Sequence, residues 1–245
     1  MDEMKEISKI VGLMVLSIGC LSQSYANTTT LGTQEQQIYK KYSQQDFYTI
    51  NEKLETDVVK LIEKNANSYK YSFPQLTENL NLNIHYAPDQ VFKTYTFDVG
   101  GGGTMGTYSS YVQFKNAPKH KLQSIETGFI RNINQVTLSG QAIYLIQSYY
   151  KGDSCVGAYQ IQAYKQQKNQ LHSVPIFQTK TKKLDTVRVD YDCQYDTERK
   201  GDYIRVSKDM KFIDIKLLDQ NTKPTGKYLR YQKTNSHYQY VGTVK

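Results

Sequence analysis

The chain has 245 residues, a formal net charge of +8, 22 tyrosines, no tryptophan and three cysteines. That length suits one domain or a tight pair of subdomains, and it is enough to bury a real core. The basic residues are scattered rather than gathered on a known nucleic-acid module. The densest groups are Lys119 with Lys121, and Lys180 with Lys182 and Lys183. A soluble basic surface is therefore expected and nucleic-acid binding is not.

The first residues carry Lys5 and Lys9 against Asp2, Glu3 and Glu6. An apolar run from Ile10 to Leu21 follows, then the small-x-small triplet Ser24-Tyr25-Ala26. Charged start, short apolar core and signal-peptidase site occur here in the order of a secretory signal. The run is shorter than the ~20 apolar residues a membrane helix needs. We expect residues 1–26 to be a signal peptide, with the mature chain starting at Asn27. The rival reading is a lipoprotein anchored through Cys20, because Ser17-Ile18-Gly19-Cys20 resembles a bacterial lipobox; its usual leucine is missing, since Leu16 stands one position too early. No later stretch reads as a transmembrane span. The expected location is periplasmic or secreted.

Residues 27–70 read as a helical segment. Thr33 with Gln36, and Thr49 with Glu52, form capping-box pairs ahead of two apolar stripes. In the second stripe, Ile50, Leu54, Val58 and Leu61 share one helical face, a docking surface for the rest of the fold. Asn65 and Asn67 are stop signals.

Residues 71–245 change to a period of two. Leu80, Leu82, Ile84 and Tyr86 alternate with polar residues, Pro88-Asp89 supplies a turn, and Val91, Lys93, Tyr95 and Phe97 open the return strand. Further strands are expected over 109–115, 142–150, 156–165, 171–178, 187–191, 203–206, 211–217, 228–233 and 238–242. Turn formers such as Lys151-Gly152-Asp153 and Asn221-Thr222-Lys223-Pro224 lie between them. Many short strands without intervening helices predict an α+β, mostly β fold: N-terminal helices docked on an antiparallel β domain of sandwich or meander-like sheets. The tyrosines fit sheet surfaces, where aromatic residues pair across strands.

Cys155 and Cys193 remain once the signal is removed, and an even pair in an oxidising compartment reads as a disulfide. Asp190, Asp192 and Asp196 lie close by, but without EF-hand spacing they read as a solvated loop; no metal and no cofactor is expected. The four histidines, His85, His120, His172 and His237, show no ligand spacing, and no serine sits in a nucleophile elbow. No catalytic residue is assigned.

The most unusual segment runs from Asp98 through Gly100, Gly101, Gly102 and Gly103 to Thr104, Met105 and Gly106. A glycine run cradles anions with its N–H groups. It also forms loops that need close backbone approach or positive φ. No Lys-Ser/Thr ending or following helix supports a P-loop. We expect a structural loop with at least one positive φ among the four glycines and Met105 returning to the core. Asp98, Gly101, Gly102, Gly103 and Thr104 are the candidate ligand contacts.

Tyr86-Ala87-Pro88-Asp89, Phe92 to Asp98 and Gly102-Gly103-Thr104-Met105 together resemble the signature of a family of uncharacterised exported bacterial proteins: strand, Pro/Asp turn, aromatic strand, Gly-Gly-Thr-Met. The close likeness covers about 25 residues. The aromatic C-terminus from Lys227 to Tyr240 is also similar. The chain departs from the pattern at Phe97, where tryptophan is usual. The resemblance implies export and no particular activity.

Three functions remain open on the sequence alone. They are a non-catalytic envelope protein binding a protein or polymer partner, a periplasmic immunity or inhibitor protein, and a hydrolase with an unrecognised site.

Overall fold

The computed structural model describes residues 31–100, 104–117, 121–195 and 202–245. Residues 1–26, expected to be a signal peptide and including Cys20, lie outside them, as do Lys119, His120 and Asp196. Helix α1 covers residues 31–42. Helix α2 is Phe47–Lys64, followed by a 3-10 turn over Ala66–Lys70 and the short α3, Pro74–Asn79.

The sequence signals misplace both helix starts. Thr33 lies inside α1 rather than capping it. Helix α2 is capped by Asp46, whose Oδ1 accepts from Tyr48 N at 3.2 Å, three residues before Thr49. An aspartate serves as well as a threonine there, because only its side-chain oxygen is needed. Asn65 ends α2 as expected.

Among the described residues fifteen strands follow, all but one of their ladders antiparallel. β1 (Asn83–Tyr86), β2 (Phe92–Asp98), β3 (Tyr108–Phe114) and β4 (Gln123–Ile125) form the first sheet in chain order. The middle sheet runs β11 (Thr186–Asp192), β7 (Val156–Gln167), β6 (Gln141–Lys151), β5 (Phe129–Leu138), with β8 (Gln170–Ser173) also paired to β7. The outer sheet runs β10 (Lys183–Leu184), β9 (Phe177–Gln178), β15 (Tyr238–Val244), β14 (Pro224–Lys233), β13 (Phe212–Leu218), β12 (Ile204–Val206).

Three apolar clusters bind these elements into four layers. Ile50, Leu54, Val58 and Ile62 of α2 pack against Tyr95 and Phe97 of β2. The other face of the first sheet, through Phe92, Val112 and Phe114, meets Ile130, Tyr144 and Ile146 of the middle sheet. The far face of the middle sheet, through Leu145, Ile161 and Ala163, meets Phe177, Ile213 and Tyr238 of the outer sheet. The fold is α+β and mostly β, with helices docked on one end of a stack of sheets. β2 lies between the helices and the middle sheet, so six of its seven residues are buried and it shows no simple alternation.

Lys93 is the consequence. Its alternate neighbours Tyr95 and Phe97 face the helices, and it shares their face. It is fully buried, and its Nζ donates to Ser68 O and Tyr71 O, both at 2.8 Å. Rings of Tyr95, Tyr86, Phe73 and Tyr69 surround it at 4.8, 5.3, 5.4 and 5.8 Å. Burial pushes its pKa down from the ordinary 10.5 to about 7.

The cysteine expectation holds. Cys155 and Cys193 are bonded, with Cα atoms 4.9 Å apart, where the β7–β11 ladder ends.

Candidate functional site

A cleft of about 710 Å³ opens along β1, the outer strand of the first sheet. One wall is the strand itself and the residues leading into it: Asn81, Leu82, Asn83, Ile84 and Tyr86 all line it. Asn81 takes a positive φ of 55°, which stops the extended run there and lets Leu82 N turn back to Leu76 O at 3.2 Å. The alternating pattern from Leu80 therefore begins as a loop, and β1 starts only at Asn83.

The other wall comes from the ends of four more strands. Asp98 closes β2 and Tyr108 opens β3, directly opposite in register. Phe129 of β5 and Tyr149 of β6 are likewise partners. The rings of Tyr108 and Phe129 meet edge to face at 5.7 Å. Tyr149 Oη is 2.5 Å from Tyr191 Oη on β11, a bond that fixes its ring beside the cleft.

The charge in this site is sparse. Asp98 is the one acidic or basic side chain lining the cleft among the described residues. Its Oδ1 accepts from Gly100 N at 3.1 Å. Burial, then Asp98 and Tyr191, raise the pKa of Tyr108, and burial raises that of Tyr86. Burial, then the bond to Tyr191, raises Tyr149. The tyrosines are thus neutral hydroxyls at physiological pH. They offer ring faces and hydrogen bonds, not bases.

The glycine segment divides. Asp98 does line the cleft, while Thr104 is exposed and is not among the lining residues. Gly101, Gly102 and Gly103 lie outside the described residues. Gly100 has no positive φ, and its surroundings are tight. A Cβ there would sit 3.2 Å from Asp98 Oδ1 and 3.4 Å from both Met105 O and Thr107 N. Asn51 of α2 donates Nδ2 to Gly100 O, tying the segment to the helix layer. Met105 corrects our expectation. It is 68 % exposed rather than returned to the core, because Gly106 N bonds Lys151 O at 3.0 Å and the chain is already anchored by backbone.

Among the described residues, no catalytic grouping converges on the cleft. His85 lies on the β1 face toward the middle sheet, and burial lowers its pKa. His172 is exposed and His237 bonds within its own hairpin, to Thr234 and Ser236. Cys155, Asp192 and Cys193 approach one another closely, but the disulfide occupies both sulfurs. Asp190 holds Arg188 at 3.0 Å.

The sequence selected Asp98 but not its companions. Asn83, Tyr86, Tyr108, Phe129 and Tyr149 come from four strands, and no spacing along the chain links them. The available signal was weaker: Tyr86 and Tyr108 flank the hairpin that carries Asp98.

No protein family, curated protein or solved structure matches this chain.

Proposed function

We propose that the chain is an exported envelope protein that binds a ligand in the β1 cleft without transforming it. One observation carries the reading: the cleft combines aromatic ring faces and neutral polar groups with, among the described residues, a single carboxylate, Asp98. Such a lining buries apolar surface and orients a ligand by a few polar contacts. Hydrolysis by the two-carboxylate route needs a second acid opposite the first, and nucleophilic hydrolysis needs a base beside the nucleophile. Neither pairing occurs among the lining residues described. The Cys155–Cys193 disulfide fits an oxidising compartment. Among the described residues, no helix is long and apolar enough to cross a membrane.

The test is equilibrium binding of fractionated envelope components to the wild type and to Tyr108→Leu and Asp98→Asn. Saturable binding that weakens at least tenfold in Tyr108→Leu, with an unchanged melting temperature, supports the reading. Turnover of any bound component, or binding indifferent to both substitutions, overturns it.

A further inference from the structure

The wall of the cleft is a sheet edge, and an edge recognises its own repeat. Ala87 N donates to Phe92 O at 2.9 Å, so that pair is a hydrogen-bonded one. In an antiparallel ladder hydrogen-bonded and non-hydrogen-bonded pairs alternate. With His85 opposite Thr94 and Asn83 opposite Thr96, those two pairs bond inward to β2. The intervening residues, Ile84 and Tyr86, then direct their N–H and C=O groups away from β2. Both residues line the cleft.

Edges of natural sheets are usually blunted by charged side chains, proline or a bulge. The middle sheet shows this on β5, where the register shifts between Ile130 and Asn132 at Arg131. β1 shows none of these devices: its residues are Asn83, Ile84, His85 and Tyr86, in unbroken register with β2. The edge is only four residues long, and Asn83 Nδ2 donates to Ile130 O of β5 at 2.8 Å, but the outward N–H and C=O groups of Ile84 and Tyr86 still face the aromatic cleft.

Resting on the reading of this cleft as a binding site, we propose that its occupant is an extended polypeptide segment of a partner protein, added as a strand to β1 and carrying a lysine or arginine that pairs with Asp98. The backbone groups argue for polypeptide over sugar. Donors and acceptors on alternate residues of a strand recur about every 7 Å, the spacing of another strand's amides. Charge complementarity argues for the basic residue, because Asp98 is the one charged side chain on the lining described and lies beside the rings of Tyr108 and Phe129. Asp98 lies two residues beyond Thr96, which pairs with Asn83, so it stands at the level of Asn81. The segment therefore spans about six residues, five steps or roughly 17 Å, from Tyr86 to Asp98.

The probe is an array of nine-residue peptides with alternating apolar and polar residues and one lysine, read by fluorescence anisotropy against the full chain. Binders are then resynthesised with a single N-methyl group at each position in turn. We expect affinity to fall at least tenfold at alternate positions and less than twofold between them. Asp98→Asn should weaken a lysine peptide at least fivefold and leave its norleucine counterpart within twofold. An N-methyl scan without a period of two overturns strand addition. So does a non-peptide ligand that is sensitive to Tyr108→Leu and not displaced by any peptide, although the cleft remains a binding site in that case. If neither peptide nor envelope component binds, both readings fall.

Discussion

Replacing Lys93 with methionine separates the cost of burying an amine from the value of its hydrogen bonds. In the folded chain the Lys93 pKa is about 7, and in the unfolded chain it returns to 10.5. The unfolded state therefore binds more protons between those values, so stability rises with pH across that window and is flat below it. Applying ~1.4 kcal/mol per unit, the burial penalty is roughly 4 kcal/mol at pH 7 and roughly 2 at pH 9. The surrounding ring faces favour the ammonium, which makes the ~2 kcal/mol difference an upper figure. Burial raises the pKa values of Tyr69, Tyr86 and Tyr95, so the rings facing the amine stay neutral at pH 9.

Methionine is similar in length and carries no charge, but it leaves Tyr71 O without the Lys93 donor. An unsatisfied buried carbonyl costs about 1–3 kcal/mol. Ser68 O keeps Tyr71 N at 3.2 Å. At pH 7 Lys93→Met should therefore be as stable as the wild type or more so, and at pH 9 its relative standing should fall by 1–2 kcal/mol. Urea unfolding of both proteins at pH 7, 8 and 9 reads this directly. Parallel curves, with a constant difference at all three values, would refute a neutralised buried amine.

Three further outcomes follow from the fold. Cys155→Ser with Cys193→Ser opens a loop of 38 residues and should lower stability by about 4 kcal/mol in chemical denaturation without changing the far-UV spectrum. Asp46→Ala should cost about 1 kcal/mol, and Thr49→Ala, which loses only a bond to Asp46 O, clearly less; equal losses would return the helix start to Thr49. Met105→Ser should change the unfolding free energy by no more than ~0.5 kcal/mol, as for other exposed positions; a loss above ~2 kcal/mol would mean the side chain is packed in solution.

Much of the β domain was legible because alternation survives wherever one face of a strand is exposed or polar. Residues 156–165 and 211–217 are examples. β5 was not. Its apolar residues Ile130, Ile133 and Val136 recur every three, since the bulge at Arg131 puts Ile130 and Ile133 on the face toward the first sheet while Val136 faces the outer sheet. α3 was missed because it is six residues long and is started by Phe73 in a left-handed conformation, which no residue preference announces. Alternation did place Lys93 with Tyr95 and Phe97. What it could not show is that this face is covered by helices, a fact of tertiary packing. For the cleft, the sequence supplied Asp98 from the oddity of the glycine run. The rest of the lining depends on strand order, which local pattern does not encode.

The layering has a consequence for how the chain tolerates cutting. Boundaries drawn from periodicity separate residues 27–70 from 71–245. The packing crosses that boundary, since Tyr95 and Phe97 bury against α2 and the Lys93 amine is satisfied by carbonyls of Ser68 and Tyr71. A chain beginning at residue 72 would present one face of its first sheet to water and strip the amine of both its carbonyl acceptors. Such a face aggregates. The helical segment behaves as a permanent lid on the first sheet, so a protease nick near residue 70 should leave the two pieces associated under native conditions and release them only on denaturation.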